Sequence, residues 1–183
     1  MESYSFKIEN VVSTTKLSEH FDLNNIKSIL DGAEYKKRKF PGLIYRINEP
    51  RAVFLLFNSG KVVCAGCKSI ENAKSAFDKL YRKLVELGVD VQSSYEVSVQ
   101  NIVASADIGH LLNLNAVTLG FGMENVEYEP EQFPGLVYRM DIPKVVILLF
   151  GSGKLVITGG KSPSDCNNAL IQLKDTLINL NLI

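Results

Sequence analysis

The sequence predicts an α+β protein built from two similar repeats, each with antiparallel strands and with helices on one face of the sheet. Residues 40–69 and 133–162 align without a gap and are identical at 18 of 30 positions. A repeat this strong indicates one structural unit used twice. The β-rich segments within each repeat are joined by turns too short for parallel crossovers, so they are expected to pair antiparallel. We therefore predict two repeats, 1–92 and 93–183, that together form a ten-stranded sheet.

The first repeat alternates strand and helix patterns in a fixed order. Its first strand is predicted where apolar and polar residues alternate, and its long helix where Ser69 can cap an apolar i, i+3, i+4 stripe that stops at Gly88. Between them lie a short helix and four short strands bounded by Asn-, Pro- and Gly-containing turns. The predicted segments are Phe6–Ser13, Leu23–Leu30, Glu34–Lys39, Leu43–Ile47, Val53–Phe57, Val62–Ala65 and 69–88.

The second repeat follows a short linker, 89–94, and shows the same order. Its final helix is predicted to begin at Ser162-Pro163, because Pro is well placed at the first helical position. The preceding elements are a strand, a short helix and four further strands: Glu96–Ala104, Leu111–Leu119, Val126–Glu129, Leu136–Met140, Val145–Phe150 and Leu155–Thr158. Helices on one face leave the other face open, and an open face carrying Val, Ala and Phe favours a partner.

Composition excludes several classes of protein. The chain has 183 residues, 46% of them hydrophobic, enough for a sizeable core. No run of about 18 apolar residues is present, and patterned sequence begins near Met1, so neither a membrane span nor a signal peptide is expected. The net charge is zero, but residues 1–92 carry +4 and residues 93–183 carry −4. This asymmetry indicates an oriented interaction.

Four phenylalanines occupy matching places in the two repeats. Each Phe-Pro-Gly motif begins with one, and another precedes each Ser-Gly-Lys turn; they are Phe40, Phe57, Phe133 and Phe150. Core packing is the ordinary role of a Phe at a strand end. Their constant spacing beside hairpin turns favours a role at the rim of the sheet instead.

The doubled pattern resembles the TATA-binding protein family of archaea and eukaryotes. The sequences that carry the resemblance are Phe-Pro-Gly-Leu-Val-Tyr-Arg-Met from Phe133 and Leu-Leu-Phe-Gly-Ser-Gly-Lys-Leu-Val-Ile-Thr-Gly-Gly-Lys-Ser from Leu148. The resemblance covers nearly the whole chain from about Ile8. It implies a curved saddle with helices on the convex face. It also implies that the four phenylalanines are wedges pushed between base steps, where a flat apolar ring replaces a lost stacking partner.

The resemblance further implies a set of minor-groove contacts. Asn is rare in strands, yet Asn10 and Asn101 stand at matching points of the two first strands; each either bonds nearby backbone or donates to the A N3 and T O2 acceptors. An apolar floor beside them would penalise G·C pairs, whose N2 amine would be buried unpaired. The implied floor and hydroxyl contact are Val12, Val103, Val63, Val156, Leu55, Leu148 and Thr158. Ala65 stands where the family has a second Thr, so one contact is expected to be lost.

Matching basic and hydroxyl residues are interpreted as phosphate contacts, which position the protein without reading sequence. Solvated charge is the alternative for each Lys and Arg. The set is Arg46, Lys61, Lys68, Ser59, Arg139, Lys154, Lys161 and Ser152. The resemblance adds a protein partner, transcription factor B, at the loop containing Glu129, Glu131 and Gln132, with RNA polymerase recruited indirectly. The corresponding first-repeat loop, Lys36–Lys39, is basic.

No enzyme, metal or cofactor is predicted. Cys64-Ala-Gly-Cys67 lacks a second ligand pair for zinc, and i and i+3 of an extended strand point to opposite faces, so Cys64 is expected in the core. Three cysteines suit a reducing cytosol, and His20 and His110 have no triad-like context. The predicted function is promoter binding on the chromosome in an archaeal cytoplasm, or in the nucleus if the source is eukaryotic. The alternatives are a module whose open sheet binds protein rather than DNA and, less favoured, a nucleic-acid enzyme. The open face would also allow weak self-association.

Overall fold

The computed structural model describes residues 5–183, which divide into two compact units. The first-repeat unit is Asn10–Gln100, and the second-repeat unit contains Asn101–Ile183 together with the described residues before Asn10. The linker 89–94 belongs to the first-repeat unit, where the Tyr81 hydroxyl donates to the Gln92 carbonyl at 3.0 Å and the Tyr95 hydroxyl donates to Asp78 at 2.5 Å. The boundary predicted between residues 92 and 93 separates the two repeats of the sequence, and it stays a prediction.

The first-repeat unit is a four-stranded antiparallel sheet with two helices. The strand order is β2-β3-β4-β1. Its elements are β1 (Phe6–Lys16, which lies in this unit from Asn10 onward), α1 (Leu23–Ile29), β2 (Leu43–Asn48), β3 (Arg51–Leu56), β4 (Lys61–Cys67) and α2 (Ile70–Glu86). Hairpins join β2 to β3 and β3 to β4, and β4 also pairs with β1.

The second-repeat unit has the same plan with one additional short strand. Its strand order is β5-β9-β8-β7-β6, again antiparallel. Its elements are β5 (Ser98–Asp107, which lies in this unit from Asn101 onward), α3 (Leu114–Phe121), β6 (Val126–Glu127), β7 (Leu136–Met140), β8 (Val145–Leu149), β9 (Lys154–Gly160) and α4 (Pro163–Asn179).

Each long helix covers one face of its own sheet. In the first-repeat unit the Phe54 ring of β3 packs edge-on against the Phe77 ring of α2, with centroids 5.5 Å apart. In the second-repeat unit Ile147 of β8 and Ile157 of β9 are fully buried, as is Leu173 of α4, the helix that packs on these two strands. Strand residues alternate between this buried face and a half-buried face that no helix covers. The predicted α+β class, with antiparallel strands and helices on one face, is confirmed.

The predicted tenth strand, Glu34–Lys39, is wrong. Only Glu34 pairs with β2, as an isolated bridge to Ile44, and residues 37–39 form a turn. The Lys36 carbonyl closes this turn by accepting from the N–H groups of both Lys39 and Phe40, at 2.8 and 3.0 Å. Residues 5–183 therefore contain nine strands.

Local capping explains where the helices begin. The Ser69 hydroxyl accepts from the Asn72 N–H, and Ser162 with Asp165 forms a reciprocal capping box that opens α4 at Pro163, as predicted. Helix α3 begins at Leu114 rather than at the predicted Leu111, because the Asn113 side chain accepts from the Ala116 N–H. Among residues 5–183, no helix combines the length and apolarity that crossing a bilayer requires.

Candidate nucleic-acid interface

The uncovered sheet face of each unit carries the predicted apolar floor. In the first-repeat unit, cross-strand pairing joins Leu55 to Val63 and Val63 to Thr14, so all three lie on one face. The second-repeat unit repeats this row as Leu148, Val156 and Ser105. All of these residues are half-buried, as are Val12 and Val103, because no helix covers them. A partner could therefore bury the row that each unit presents.

Strand pairing also places residues on this face that the sequence analysis missed. Val53 pairs with Ala65, and Val146 pairs with Thr158, so both valines extend the floor. Ile44 and Val137 extend it at the next strand, opposite Leu55 and Leu148. The positions of Val53 and Val146 could have been predicted from the sequence, since they lie two residues before Leu55 and Leu148 on the same strands and so share their face.

A β-bulge lies beside the asparagine that stands at the matching position of each repeat. Val11 of β1 pairs with Cys67 of β4, but Ser13 pairs with Cys64, so β4 has one extra residue between these pairs. Gly66 lies in this bulge and has a φ of +95°. The Gly66 N–H donates to Asn10 Oδ1 at 2.7 Å. In the second-repeat unit Gly159, with φ +99°, donates to Asn101 Oδ1 at 2.6 Å. A positive φ favours glycine, which has no Cβ to clash with its own backbone.

This hydrogen bond determines what each asparagine can offer a partner. A carboxamide has one acceptor end and one donor end. Because the main-chain N–H binds the oxygen, the Nδ2 amide group is the end that can donate to another molecule. This arrangement occurs once in each repeat, and the donor role of Asn10 and Asn101 stays a prediction.

The two asparagines differ in whether a threonine hydroxyl lies beside the side-chain amide. Asn101 Nδ2 lies 3.3 Å from Thr158 Oγ1, and that hydroxyl also lies 3.4 Å from Asn101 Oδ1. The first repeat has Ala65 at the corresponding position, which cannot offer a hydroxyl. Within residues 5–183, the Asn101 side chain is therefore held by the Gly159 N–H and the Thr158 hydroxyl, and the Asn10 side chain by the Gly66 N–H.

The four phenylalanines form two matching ring pairs. The ring centroids of Phe40 and Phe57 are 6.0 Å apart at an interplanar angle of 67°, and those of Phe133 and Phe150 are 5.9 Å apart at 66°. None is in the fully buried core, and 38% of the Phe133 surface is exposed. Apolar rings held at a rim, partly in water, are the geometry that the wedge prediction requires.

Glycine provides the space in which each ring pair lies. A Cβ built on Gly42 would come within 2.7 Å of the Phe40 ring and 3.0 Å of the Phe57 ring. At Gly135 the corresponding distances to Phe133 and Phe150 are 2.8 and 2.9 Å. The Pro-Gly dipeptide therefore lets both rings rest directly on the main chain.

The two predicted phosphate-binding arginines are already paired with carboxylates. Arg46 Nη1 donates to Glu34 Oε1 at 2.6 Å, and Arg139 Nη2 donates to Glu127 Oε1 at 3.2 Å. Both pairs are largely exposed, so solvent screens them and each contributes little to stability. An arriving phosphate would compete with the glutamate for the guanidinium group.

The other predicted phosphate contacts lie at exposed positions of the two units. Lys61 and Lys154 open β4 and β9, Lys68 and Lys161 follow those strands, and Ser59 and Ser152 occupy the preceding turns. The Ser152 hydroxyl also accepts weakly from the Lys154 N–H at 3.4 Å. Their role in binding phosphate stays a prediction.

The cysteine pair corrects one expectation. Cys64 and Cys67 do not point to opposite faces; both are buried, because the bulge at Gly66 inserts a residue between them. Burial raises the pKa of both thiols, and it raises the pKa of Cys166 to about 11. No group of three or more His, Cys, Asp or Glu residues suited to a metal occurs in residues 5–183.

Two turns of the same backbone carry opposite charges beside the ring pairs. The Glu129 carbonyl accepts from the N–H groups of Gln132 and Phe133 at 2.9 and 3.0 Å, which repeats the Lys36 turn of the first unit. Glu129, Glu131 and Gln132 are all exposed, as are Lys36–Lys39. The two turns could therefore meet different partners.

Comparison with known proteins identifies the relatives of this chain. Residues 5–87 and 96–180 match the family described as transcription factor TFIID, or TATA-binding protein. TATA-box-binding protein 1 of Methanosarcina acetivorans is 54% identical over 183 residues, with both chains covered in full. The TATA-box-binding protein of Archaeoglobus fulgidus is also 54% identical with full coverage of both chains.

A solved structure agrees with the sequence relatives. The structure of Methanococcus jannaschii TBP matches this chain with a TM-score of 0.87 at 48% identity, covering 96% of this chain and 99% of that chain. The family match spans both repeats, and the named relatives are archaeal. The chain belongs to the TATA-binding protein family, as its doubled Phe-Pro-Gly and Ser-Gly-Lys motifs predicted.

Proposed function

We propose that this chain is a general transcription initiation factor that binds the TATA box of archaeal promoters in the minor groove. The observation that carries the proposal is the twofold occurrence of one arrangement: an amide donor fixed by a glycine N–H beside an apolar floor. Its relatives are named for binding this DNA element. The chain acts by binding and not by catalysis, and it works on the chromosome inside the cell.

The recognition step follows from the chemistry of the minor groove. A·T and T·A pairs both present only acceptors there, whereas a G·C pair adds the guanine N2 amine. Asn10 and Asn101 offer donors to those acceptors, and the floor of Leu55, Val63, Leu148 and Val156 offers no acceptor to an amine. Burying that amine unpaired costs about 1–3 kcal/mol, so A·T pairs are preferred.

The ring pairs supply the deformation step. Inserting Phe40 and Phe57, or Phe133 and Phe150, between base pairs costs a few kcal/mol of stacking at each step. The bent duplex recovers this cost by contacting more of the protein surface. Lys61, Lys154 and their neighbours would hold the phosphates, and Arg46 and Arg139 would exchange their glutamate partners for phosphate.

The experiment that tests this function is selection from a random duplex pool, followed by a bend-angle measurement on the selected sequence. We expect enrichment of an AT-rich element of about eight base pairs and a strongly bent complex. Enrichment of G·C-rich sequence, or tight binding without bending, would refute the proposal.

The acidic turn is proposed as the docking site for transcription factor B, through which RNA polymerase is recruited. Glu129 and Glu131 project from a turn fixed by backbone hydrogen bonds, so they present two carboxylates to a basic partner surface. Reversing both to Lys should abolish the ternary complex while leaving binding to a duplex that ends at the box nearly unchanged. The same charge change at Glu71 and Glu86 of α2 is the matched control, and normal recruitment by the Glu129→Lys/Glu131→Lys variant would contradict this assignment.

A further inference from the structure

The two turns beside the ring pairs differ in charge but not in backbone. In both, a carbonyl at the first residue accepts from the N–H groups three and four residues later, at 2.8 and 3.0 Å from Lys36 and at 2.9 and 3.0 Å from Glu129. The first turn carries four cations in succession, and the second carries two glutamates and no cation. The backbone of the turn does not require the cations, because the second repeat forms the same turn without them.

The four cations are available to a partner. Lys36, Lys37, Arg38 and Lys39 are all exposed, and none forms an ion pair with another residue in the described part of the chain. By contrast, Arg46 on the neighbouring strand is held by Glu34. Like charges on four consecutive residues of one turn repel one another, since salt screens charges fully only beyond a Debye length of about 8–10 Å. An anion at this turn would relieve that repulsion.

The position of the turn identifies the anion. The Phe40 N–H donates to the Lys36 carbonyl, so the turn and the Phe40 ring are held together as one piece. If Phe40 and Phe57 enter a base step, the nearest anions to the turn are the phosphates just outside that step. A protein surface carrying acidic groups would need a separate encounter, whereas these phosphates arrive with the DNA.

We propose that the turn Lys36–Lys39 is an additional DNA contact that binds phosphates flanking the box, on the side that meets Phe40 and Phe57. This inference rests on the proposed function. The turn at Glu129–Gln132 offers the duplex no such contact and repels its phosphates. On a duplex that extends beyond the box at one end only, the protein should therefore place the Lys36–Lys39 turn at the flanked end.

The salt dependence of binding gives the expected size of the effect. Each phosphate neutralised adds about 0.9 to the slope of log affinity against log salt. Replacing Lys37 and Arg38 by Gln should therefore lower the slope by about 1.8 on a duplex with flanks. Raising the salt threefold should then cost the parent protein about sevenfold more affinity than the variant. On a duplex trimmed to the box, the two proteins should behave alike.

The test measures binding of the parent, the Lys37→Gln/Arg38→Gln variant and a control to duplexes that are trimmed to the box, flanked on one side or flanked on both sides. The control is Lys74→Gln/Arg82→Gln, which removes the same charge from exposed positions of α2, the helix that packs on the opposite sheet face. The control should keep the parental slope on every duplex. For the parent, one flank should raise the affinity and the slope, and a second flank should add nothing further to the slope, since only one of the two turns is basic.

Two results would overturn the proposal. One is an equal slope for the parent and the Lys37→Gln/Arg38→Gln variant on every duplex, which would leave the turn free for a protein partner instead. The other is a second gain of equal size in the slope when the second flank is added. Both outcomes leave the proposed function intact if the trimmed AT-rich duplex is still preferred over a G·C-rich one; loss of that preference in the parent would refute the function itself.

Discussion

Replacing Asn101 by Asp separates the structural role of this side chain from its role in reading bases. The carboxylate has nearly the same shape, so one of its oxygens can keep the 2.6 Å hydrogen bond from the Gly159 N–H. The other oxygen can accept from the Thr158 hydroxyl, which lies 3.3 Å from the present Nδ2. Hydrogen bonds to a charged acceptor are stronger than neutral ones, so the fold should be retained.

The same substitution removes the donor that faces the DNA. A base-pair-level defect in a specific site costs about 1–3 kcal/mol, which corresponds to about 5–150-fold in affinity for an AT-rich box. A carboxylate oxygen at this place can also accept from the guanine amine. Affinity for a box with one central G·C pair should therefore fall less, and the preference for A·T at that position should shrink or reverse.

Asn101→Ala provides the contrast. It also removes the donor and lowers discrimination, but it leaves the Gly159 N–H without its partner, at a cost of about 0.5–1.5 kcal/mol in the free energy of unfolding. The assay combines thermal unfolding with competition binding against a panel of boxes carrying single G·C substitutions. If the Asp variant keeps the parental A·T preference, or is destabilised as much as the Ala variant, the donor assignment fails.

Three further predictions follow from the site and the helix caps. Phe133→Ala with Phe150→Ala should weaken binding to an AT-rich box and reduce the bend angle while the circular dichroism spectrum is unchanged; a parental bend would contradict the wedge role. Lys154→Ala should weaken specific and random duplexes alike and lower the salt slope by about one, and a loss confined to the specific box would contradict a phosphate contact. Backbone N–H donors, that of Lys161 first, hold the pKa of Asp165 below its ordinary value of 3.8, so its stabilising effect is present above that pH and lost below it. Asp165→Asn should then cost about 1 kcal/mol at pH 7, and thermal unfolding should show the difference disappearing as the pH falls well below 3.8.

Features set by neighbours in sequence were predictable, and features set by strand pairing were less so. Ser69 and Ser162 mark their helices because a capping hydroxyl acts on an N–H only three residues away. The bulge that turns Cys67 toward the core depends on how β1 meets β4, about 50 residues earlier in the chain. Its only local trace is Gly66, whose positive φ cannot be read from a single sequence.

The ion pairs of the open face could have been found by comparing the repeats. Glu34 and Arg46 stand 12 residues apart, and Glu127 and Arg139 repeat both the residue types and the spacing. The sequence analysis treated the arginines alone, because a charged strand was expected at Glu34–Lys39. The structure places Glu34 in an isolated bridge instead, where its carboxylate reaches Arg46.

The burial of all three native cysteines has a practical consequence for single-molecule work. Cys64, Cys67 and Cys166 are each at most 1% exposed, and burial raises the pKa of every one of these thiols. A maleimide dye reacts with exposed thiolate, so the natural protein already serves as an unreactive background. One new cysteine at the exposed Ser75 or Ser164 would then accept a single fluorophore, and its energy transfer to a dye on one DNA end would report which way each molecule is bound.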